Sequence, residues 1–321
     1  MAAMPPDMPS RILLAWPRGY CAGVERAVDT VERALRIYGR PVFVRKQIVH
    51  NIHVVRDLES KGAVFVDQEQ EVPEGATVIL SAHGVAPEVY SNAEGRSLNV
   101  IDATCPLVTK VHLEAKRFAR DGKTILLIGH EGHEEVIGTT GEAPERIILV
   151  GSPDEARTVR VPDPARVAYL SQTTLSVDET NEVIEVLRDR FPAIEAPPRD
   201  DICYATQNRQ EAVKVLAARA DVILVIGSHN SSNSRRLVEV ARSTGAPAHL
   251  VDDEEEIEDE WLRGRDVVGV TSGASAPEWL VERVVEHLKG RGATRVDQLH
   301  TVDEDMRFSL PPAVREPLPA L

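Results

Sequence analysis

The stretch DATCPLVTKVHLEAKRFARDGKTILLIGHEGHEE, residues 102–135, contains one complete structural unit. Cys105 is followed by Pro106, which suits the first position of a helix. Val108, Val111, Ala115 and Phe118 then recur at helical spacing, so the cysteine stands at a helix N-terminus. Lys123 leads into TILLIG, 124–129, a short apolar strand, and the polar loop GHEGHEE closes the unit. A thiol at a helix start faces unpaired N–H groups and the positive end of the helix dipole. Both favour thiolate, the form that reacts or binds metal.

The same order recurs on either side. Cys21 precedes a helical stripe (Val24, Ala27, Val28, Val31, Leu35), the strand PVFVR at 41–45 and the loop IVHNIH. Cys203 precedes Val213, Leu216, Ala217 and Ala220, then VILVIG at 222–227 and GSHNSSNS at 227–234. His50, His133 and Ser231 follow their cysteines by 29, 28 and 28 residues. A second strand and polar turn come later in each copy: VILSAHG at 78–84, VAYLSQTT at 167–174 and VVGVTSGAS at 267–275. Ser81, Ser171 and Ser272 lie 60, 66 and 69 residues beyond the same cysteines.

This repeat is too long for a solenoid, whose units run to roughly 50 residues. Strands alternating with helices argue for parallel sheets, whose ligands sit beyond the strands' carboxyl ends. The fold expected is therefore α/β: three small parallel-sheet lobes around a pseudo-threefold axis, with cysteines and polar loops facing one centre. The expected boundaries are 11–104 for the first lobe, with 285–310 returning to it, 105–200 for the second and 201–284 for the third. Residues 1–10 and 311–321 read as loosely ordered termini.

Composition narrows the chemistry. The 321 residues carry 37 Lys and Arg against 51 Asp and Glu, a net charge of −14. That balance disfavours nucleic acid or an anionic membrane as the main partner, since both want a basic surface. No apolar run approaches the ~18 residues of a membrane span, and the N-terminus lacks a signal-peptide pattern, so a cytoplasmic protein is expected. Three widely spaced cysteines do not make a disulfide framework. Taken singly, each reads as a buried apolar thiol; taken together, they read as a ligand set. Zinc completed by a histidine is one option, though no C-x₂-C pair is present. An iron–sulfur cluster with one iron left open is the other.

The loops carry His50, His83, His133, Ser231, Ser232, Asn233 and Ser275, with few Lys or Arg. Such donors at strand ends and helix starts suit phosphate oxygens. The ordinary roles are water-facing histidines and, for Ser231–Ser234, helix capping, which is compatible with anion binding. Glu135, in a run that reads as a loop, is a candidate proton donor if buried, and Glu134 reads as a solvated charge. Thr173 and Thr174 are candidates for proton relay or for holding a substrate hydroxyl.

Eight segments in order resemble the 4-hydroxy-3-methylbut-2-enyl diphosphate reductase family: PRGYCAGVERAV (17–28), SAHGV (81–85), DATCPLVTKVH (102–112), GHEGHEEVIGT (129–139), SQTTLS (171–176), DDICYATQNRQEAV (200–213), GSHNSSNS (227–234) and TSGASAPEW (271–279). The resemblance spans about residues 11 to 288. It implies a [4Fe–4S] cluster on Cys21, Cys105 and Cys203, with the fourth iron open to substrate. It further implies a two-electron, two-proton reductive dehydroxylation giving isopentenyl and dimethylallyl diphosphates, the last step of the methylerythritol phosphate route. His50, His83, His133, Ser231, Ser232, Asn233 and Ser275 match the family's diphosphate pocket, Glu135 its proton donor, and Thr173 the threonine at the substrate's hydroxymethyl end. Thr174 and Thr206 fall in the same motifs. No dinucleotide-binding G-x-G-x-x-G follows a strand, so ferredoxin or flavodoxin is the implied electron donor. Two positions depart from the family pattern: Glu134 stands where proline is usual, and Glu25 replaces an aspartate. A non-redox hydro-lyase built on the same cluster, and an iron–sulfur sensor, are the competing readings.

Overall fold

The computed structural model describes residues 8–315. The elements run β1 (Arg11–Trp16), α1 (Ala22–Tyr38), β2 (Val42–Arg45), α2 (Ile52–Ser60), β3 (Ala63–Val66), β4 (Thr77–Leu80), α3 (Pro87–Gly95) and β5 (Asn99–Asp102). They continue with α4 (Pro106–Arg120), β6 (Thr124–Ile128), α5 (Glu134–Gly141), β7 (Ile147–Val150), α6 (Pro153–Thr158), β8 (Val167–Ser171) and α7 (Val177–Arg190). The last third holds α8 (Tyr204–Ala217), β9 (Val222–Ile226), α9 (Ser232–Ser243), β10 (Ala248–Val251), α10 (Asp259–Leu262), β11 (Val267–Ser272), α11 (Glu278–Gly290) and β12 (Arg295–His300).

The strands form three parallel sheets, one per lobe, with orders β3-β2-β4-β5, β7-β6-β8 and β10-β9-β11-β1-β12. In each, the strand that follows the cysteine's helix is central (β2, β6, β9), and the next two strands in sequence flank it. The repeat read from the cysteines is thus a repeat of sheet topology. Helices cover both faces, which explains the fully buried runs TILLI, VAYLS and VILVI. Along β1 the side chains alternate, Ile12 and Leu14 packing with Leu280, Val281 and Val284 of α11, Leu13 and Ala15 with Val213 and Leu216 of α8. In the second lobe Leu126 and Ile128 join Val183 and Leu187 of α7, while Ile125 and Leu127 join Val111 and Phe118 of α4.

The lobe boundaries need one correction. Arg11–Trp16, expected in the first lobe, pairs with β11 of the third, and β12 pairs with β1 there. The reason is general to the repeat. The third strand of each sheet offers an open edge, and the segment leading into the next cysteine fills it. Residues 99–102 do this before Cys105. A single parallel bridge, Ala168 with Glu195, does it before Cys203. For the third sheet the next cysteine in the cycle is Cys21, so the segment is β1. Lobe boundaries therefore fall at the cysteines, and the chain closes on its own beginning.

Where the terminal segments are described, they pack against the rest of the fold. Met8 packs against the core of the five-stranded sheet. Val314 is buried, and Tyr38 donates a hydrogen bond to the Ala313 carbonyl at 3.0 Å. Residues 1–7 and 316–321 lie outside the described residues. Two compact units result. One comprises the residues up to Cys21, His50–Val54 and Tyr204–Met306; the other comprises Ala22–Val49, Val55–Cys203 and the residues from Arg307. Among the described residues no helix is long and apolar enough to cross a membrane.

Candidate active site

All three cysteines stand outside any disulfide, half-buried and placed directly before a helix: α1, α4 and α8. Their backbone N–H groups make equivalent bonds. That of Cys21 donates to Ala274 O at 3.2 Å, that of Cys105 to Ala82 O at 3.0 Å, and that of Cys203 to Thr173 O at 3.1 Å. Each acceptor lies two residues past the third strand of a sheet. The equivalence of the copies therefore extends to single hydrogen bonds.

In the second unit, Glu135 is the chemically distinctive group. It lies in the first turn of α5, not in a loop, and is 2% exposed. Thr173 donates to it twice, from its N–H to Oε1 at 2.5 Å and from its hydroxyl to Oε2 at 3.0 Å. Burial pushes the carboxyl up to about 7, against the downward pull of the two Thr173 bonds, with Asp201 adding to the rise. His133 caps α5, its Nδ1 accepting from Glu135 N–H at 3.2 Å, so the ring proton sits on Nε2. The His83 ring stands edge-on to His133 with centroids 6.0 Å apart, and Ser81 Oγ lies 3.4 Å from His83 Nδ1. Thr174 Oγ1 accepts from Gln172 Nε2 at 2.8 Å.

Glu134 is not a freely solvated charge. It is half-buried at the first position of α5, with Lys46 Nζ and Arg45 Nη1 at 3.8 and 3.9 Å. This is the helix position proline favours, so the departure from the family pattern falls where either residue starts the helix, and an acid there also meets the positive dipole end. Asp201 was not flagged by sequence. Its Oδ2 accepts from Ser171 N at 3.0 Å and its Oδ1 from Lys110 Nζ at 3.1 Å. Desolvation outweighs both partners and lifts its carboxyl to about 6. Only the acidic doublet Asp200–Asp201 beside Cys203 hinted at it.

In the first unit, Ser231 caps α9 by accepting from Ser234 N at 3.3 Å, the ordinary role weighed for it. Ser231, Ser232 and Asn233 are all buried. Asn233 ties three segments together: Oδ1 accepts from Ala274 N at 2.9 Å, and Nδ2 lies 3.4 Å from Thr206 Oγ1 on α8. Ala274 in turn holds Cys21 through its carbonyl. Ser275 Oγ donates to His50 O at 2.9 Å, and the His50 loop is fastened again by Ile52 N–H to Ser228 Oγ at 3.1 Å. Burial, with Arg235 adding to it, pulls His50 down to about 4, so its ring is neutral at pH 7. The residues expected for a diphosphate pocket thus fall into two sets, His50, Ser231, Ser232, Asn233 and Ser275 in one unit, His83 and His133 in the other.

Residues 12–289 match the model of the LytB protein family. The chain is 63% identical over 321 residues to the 4-hydroxy-3-methylbut-2-enyl diphosphate reductase of Acidothermus cellulolyticus, covering 100% of this chain and 94% of that one. It is 59% identical over 319 residues to the enzyme of the same name from Streptomyces coelicolor, covering 99% and 94%. Among solved structures, the E-1-hydroxy-2-methyl-but-2-enyl-4-diphosphate reductase of Plasmodium falciparum superposes with a TM-score of 0.92 at 35% identity, covering 96% of this chain and 97% of that one. A second, described as the terminal enzyme of the non-mevalonate pathway, gives 0.61 at 34% identity over 88% of this chain and 99% of its own.

Proposed function

This chain belongs to the LytB protein family, and from that premise we propose that it is a 4-hydroxy-3-methylbut-2-enyl diphosphate reductase, acting at the end of the non-mevalonate route to isoprenoids. The observation that carries the reading is the threefold repetition of a half-buried cysteine before a helix, each with its N–H bound to the loop after a third strand.

The residues present suit an iron–sulfur cluster. Thiolates are the ligands such clusters take, and the positive ends of three helices suit an anionic ligand set. Cys21, Cys105 and Cys203 would hold a [4Fe–4S] cluster with one iron free of protein ligands. When bound, it would supply electrons one at a time and a Lewis-acidic iron for the substrate oxygen. The net reaction removes the allylic hydroxyl as water, consuming two electrons and two protons, and gives isopentenyl or dimethylallyl diphosphate. Electrons would come from a ferredoxin or flavodoxin.

The chain's own residues supply the rest. Glu135, with its carboxyl near 7, is half-protonated at neutral pH and can both deliver a proton and be recharged from solvent. Thr173 fixes both carboxyl oxygens, and by the family resemblance it would orient the substrate's hydroxymethyl end. His133, with its proton on Nε2, presents a donor suited to a phosphate oxygen. By the family resemblance His50, His83, Ser231, Ser232, Asn233 and Ser275 would bind the diphosphate, and the hydroxyl and amide donors among them carry no charge. Buried neutral donors bind an anion without adding a cation's desolvation cost.

The test is anaerobic. Reduced methyl viologen is followed with and without 4-hydroxy-3-methylbut-2-enyl diphosphate. Substrate-dependent oxidation with both isopentenyl products supports the reading. Turnover needing no electron donor would replace it with a hydro-lyase, and an intact cluster without turnover would favour a sensor.

A further inference from the structure

Each cysteine's helix carries a cation at nearly the same place: Arg26 lies five residues after Cys21, Lys110 five after Cys105, and Arg209 six after Cys203. Their targets are also equivalent. Arg26 Nη1 donates to Ala103 O at 2.9 Å and Thr104 O at 3.0 Å, the two residues before Cys105. Lys110 Nζ donates to Arg199 O at 2.7 Å, Asp200 O at 2.8 Å and Asp201 Oδ1 at 3.1 Å, on the approach to Cys203. Arg209 Nη2 donates to Gly19 O at 2.7 Å, two residues before Cys21. The helix after one cysteine thus holds the backbone entering the next, and the third returns to the first.

We infer that Arg26, Lys110 and Arg209 are positioning residues for the three cysteines, each fixing the approach to the next cysteine in a closed cycle. The inference rests on the reading of the cysteines as cluster ligands. All three ammonium donors of Lys110 are committed to one segment of three residues, leaving none for water. Arg209 is fully buried and is itself held by Glu304 at 2.9 Å and by Ala205 O at 3.0 Å. Carbonyls pinned this way fix the cysteine backbone without metal. The ordering entropy is then spent in folding and not on cluster binding, so the assembled site retains its iron. Outer groups that orient ligands commonly change metal affinity by about 10–100-fold when removed.

Two measurements on the full chain test this. In anaerobically reconstituted protein, iron release to a ferrous chelator is timed for wild type, Lys110→Met, Lys110→Arg and Arg242→Met. Arg242 donates twice to Ala248 O, at 2.8 and 3.1 Å, and serves as a backbone staple unconnected to any cysteine approach. Lys110→Met is expected to release iron about tenfold faster, with Lys110→Arg restoring most of the difference and Arg242→Met matching wild type. In apoprotein, alkylation of each cysteine is followed by mass spectrometry. Lys110→Met should speed modification of Cys203, and Arg26→Met that of Cys105, in each case the next cysteine of the cycle.

Unchanged iron release in Lys110→Met overturns the inference, as does acceleration spread equally over all three thiols. A wild-type chain that takes up no cluster overturns the ligand reading itself, and is told apart because it fails before any variant is compared.

Discussion

Thr173 binds Glu135 through both of its donors and gives its carbonyl to Cys203 N–H. One residue therefore joins the candidate proton donor to a candidate cluster ligand. Glu135→Gln keeps the shape and can still accept from Thr173 but holds no transferable carboxyl proton. Its turnover is expected to fall by roughly 10²–10⁴, with iron content and the reduced-cluster spectrum unchanged. Methyl viologen oxidation beside an iron assay checks both halves; near-normal turnover would remove Glu135 from the role.

The same group predicts the sign of a pH dependence. The acid form of Glu135 is the proton-delivering one, and its carboxyl is held at about 7. The rate with bound substrate should be highest below neutrality and decline as pH rises through about 7. In Glu135→Gln that limb should vanish from the residual activity. A rate that climbs through the same range would contradict the assignment.

Stability follows the same titration. The native carboxyl, raised from 4.5 to about 7, binds its proton more tightly than the unfolded chain does. Its contribution is fully present below about 4.5 and is lost as pH rises to about 7, a change of roughly 3 kcal/mol at most. Urea unfolding of apoprotein at pH 5 and pH 8 should therefore show Glu135→Gln gaining on wild type at the higher pH. Equal differences at the two values would mean that the folded carboxyl titrates where the unfolded one does, with no upward shift.

Much of this arrangement was legible in the sequence because it rests on local patterns. Helical spacing after each cysteine and the apolar runs 124–128, 167–171 and 222–226 fix the helices, the central strands and the loops that carry His133, Thr173 and Ser231. The partner of β1 was not legible, since RILLAW has the same buried-strand pattern whichever sheet it joins, and pairing across more than 250 residues leaves no local mark. The helical state of Glu135 was hidden by two glycines before it, Gly129 and Gly132, which read as loop. Asp201 and the three cations were missed for another reason. Most of their partners are backbone carbonyls and amide groups, which no side-chain motif records, and the Lys110–Asp201 and Arg209–Glu304 pairs join residues more than 90 positions apart.

Thr173→Val separates the hydroxyl from the rest of that residue. The N–H bond to Oε1 and the carbonyl bond to Cys203 survive, while the hydroxyl donor to Oε2 is lost. That hydroxyl pulls the Glu135 carboxyl down, so its removal raises the value further. The declining limb of the rate profile should move to higher pH in Thr173→Val and stay in place in Thr173→Ser. A limb that moves downward in the valine variant would show that the hydroxyl is not a donor to the carboxyl.

Gly273→Ala tests the loop between β11 and α11 without touching any titrating group. A Cβ there would meet Ser234 Oγ at 2.1 Å and Asn233 Oδ1 at 3.4 Å. Ser234 is fully buried and hydrogen-bonded to Ser231 Oγ at 3.0 Å, so it has little room to withdraw. Asn233 is held by the next residue, Ala274, whose carbonyl holds Cys21. The strain should cost about 1–3 kcal/mol of stability and weaken pyrophosphate binding if Ser231, Ser232 and Asn233 form the clamp. Gly290→Ala, where nothing lies within 4 Å of the added carbon, is the matched control and should be neutral or slightly stabilising. Thermal melts with pyrophosphate calorimetry read both effects. A Gly273→Ala protein that is destabilised yet binds pyrophosphate as wild type would leave the packing argument intact and take this loop out of the anion site.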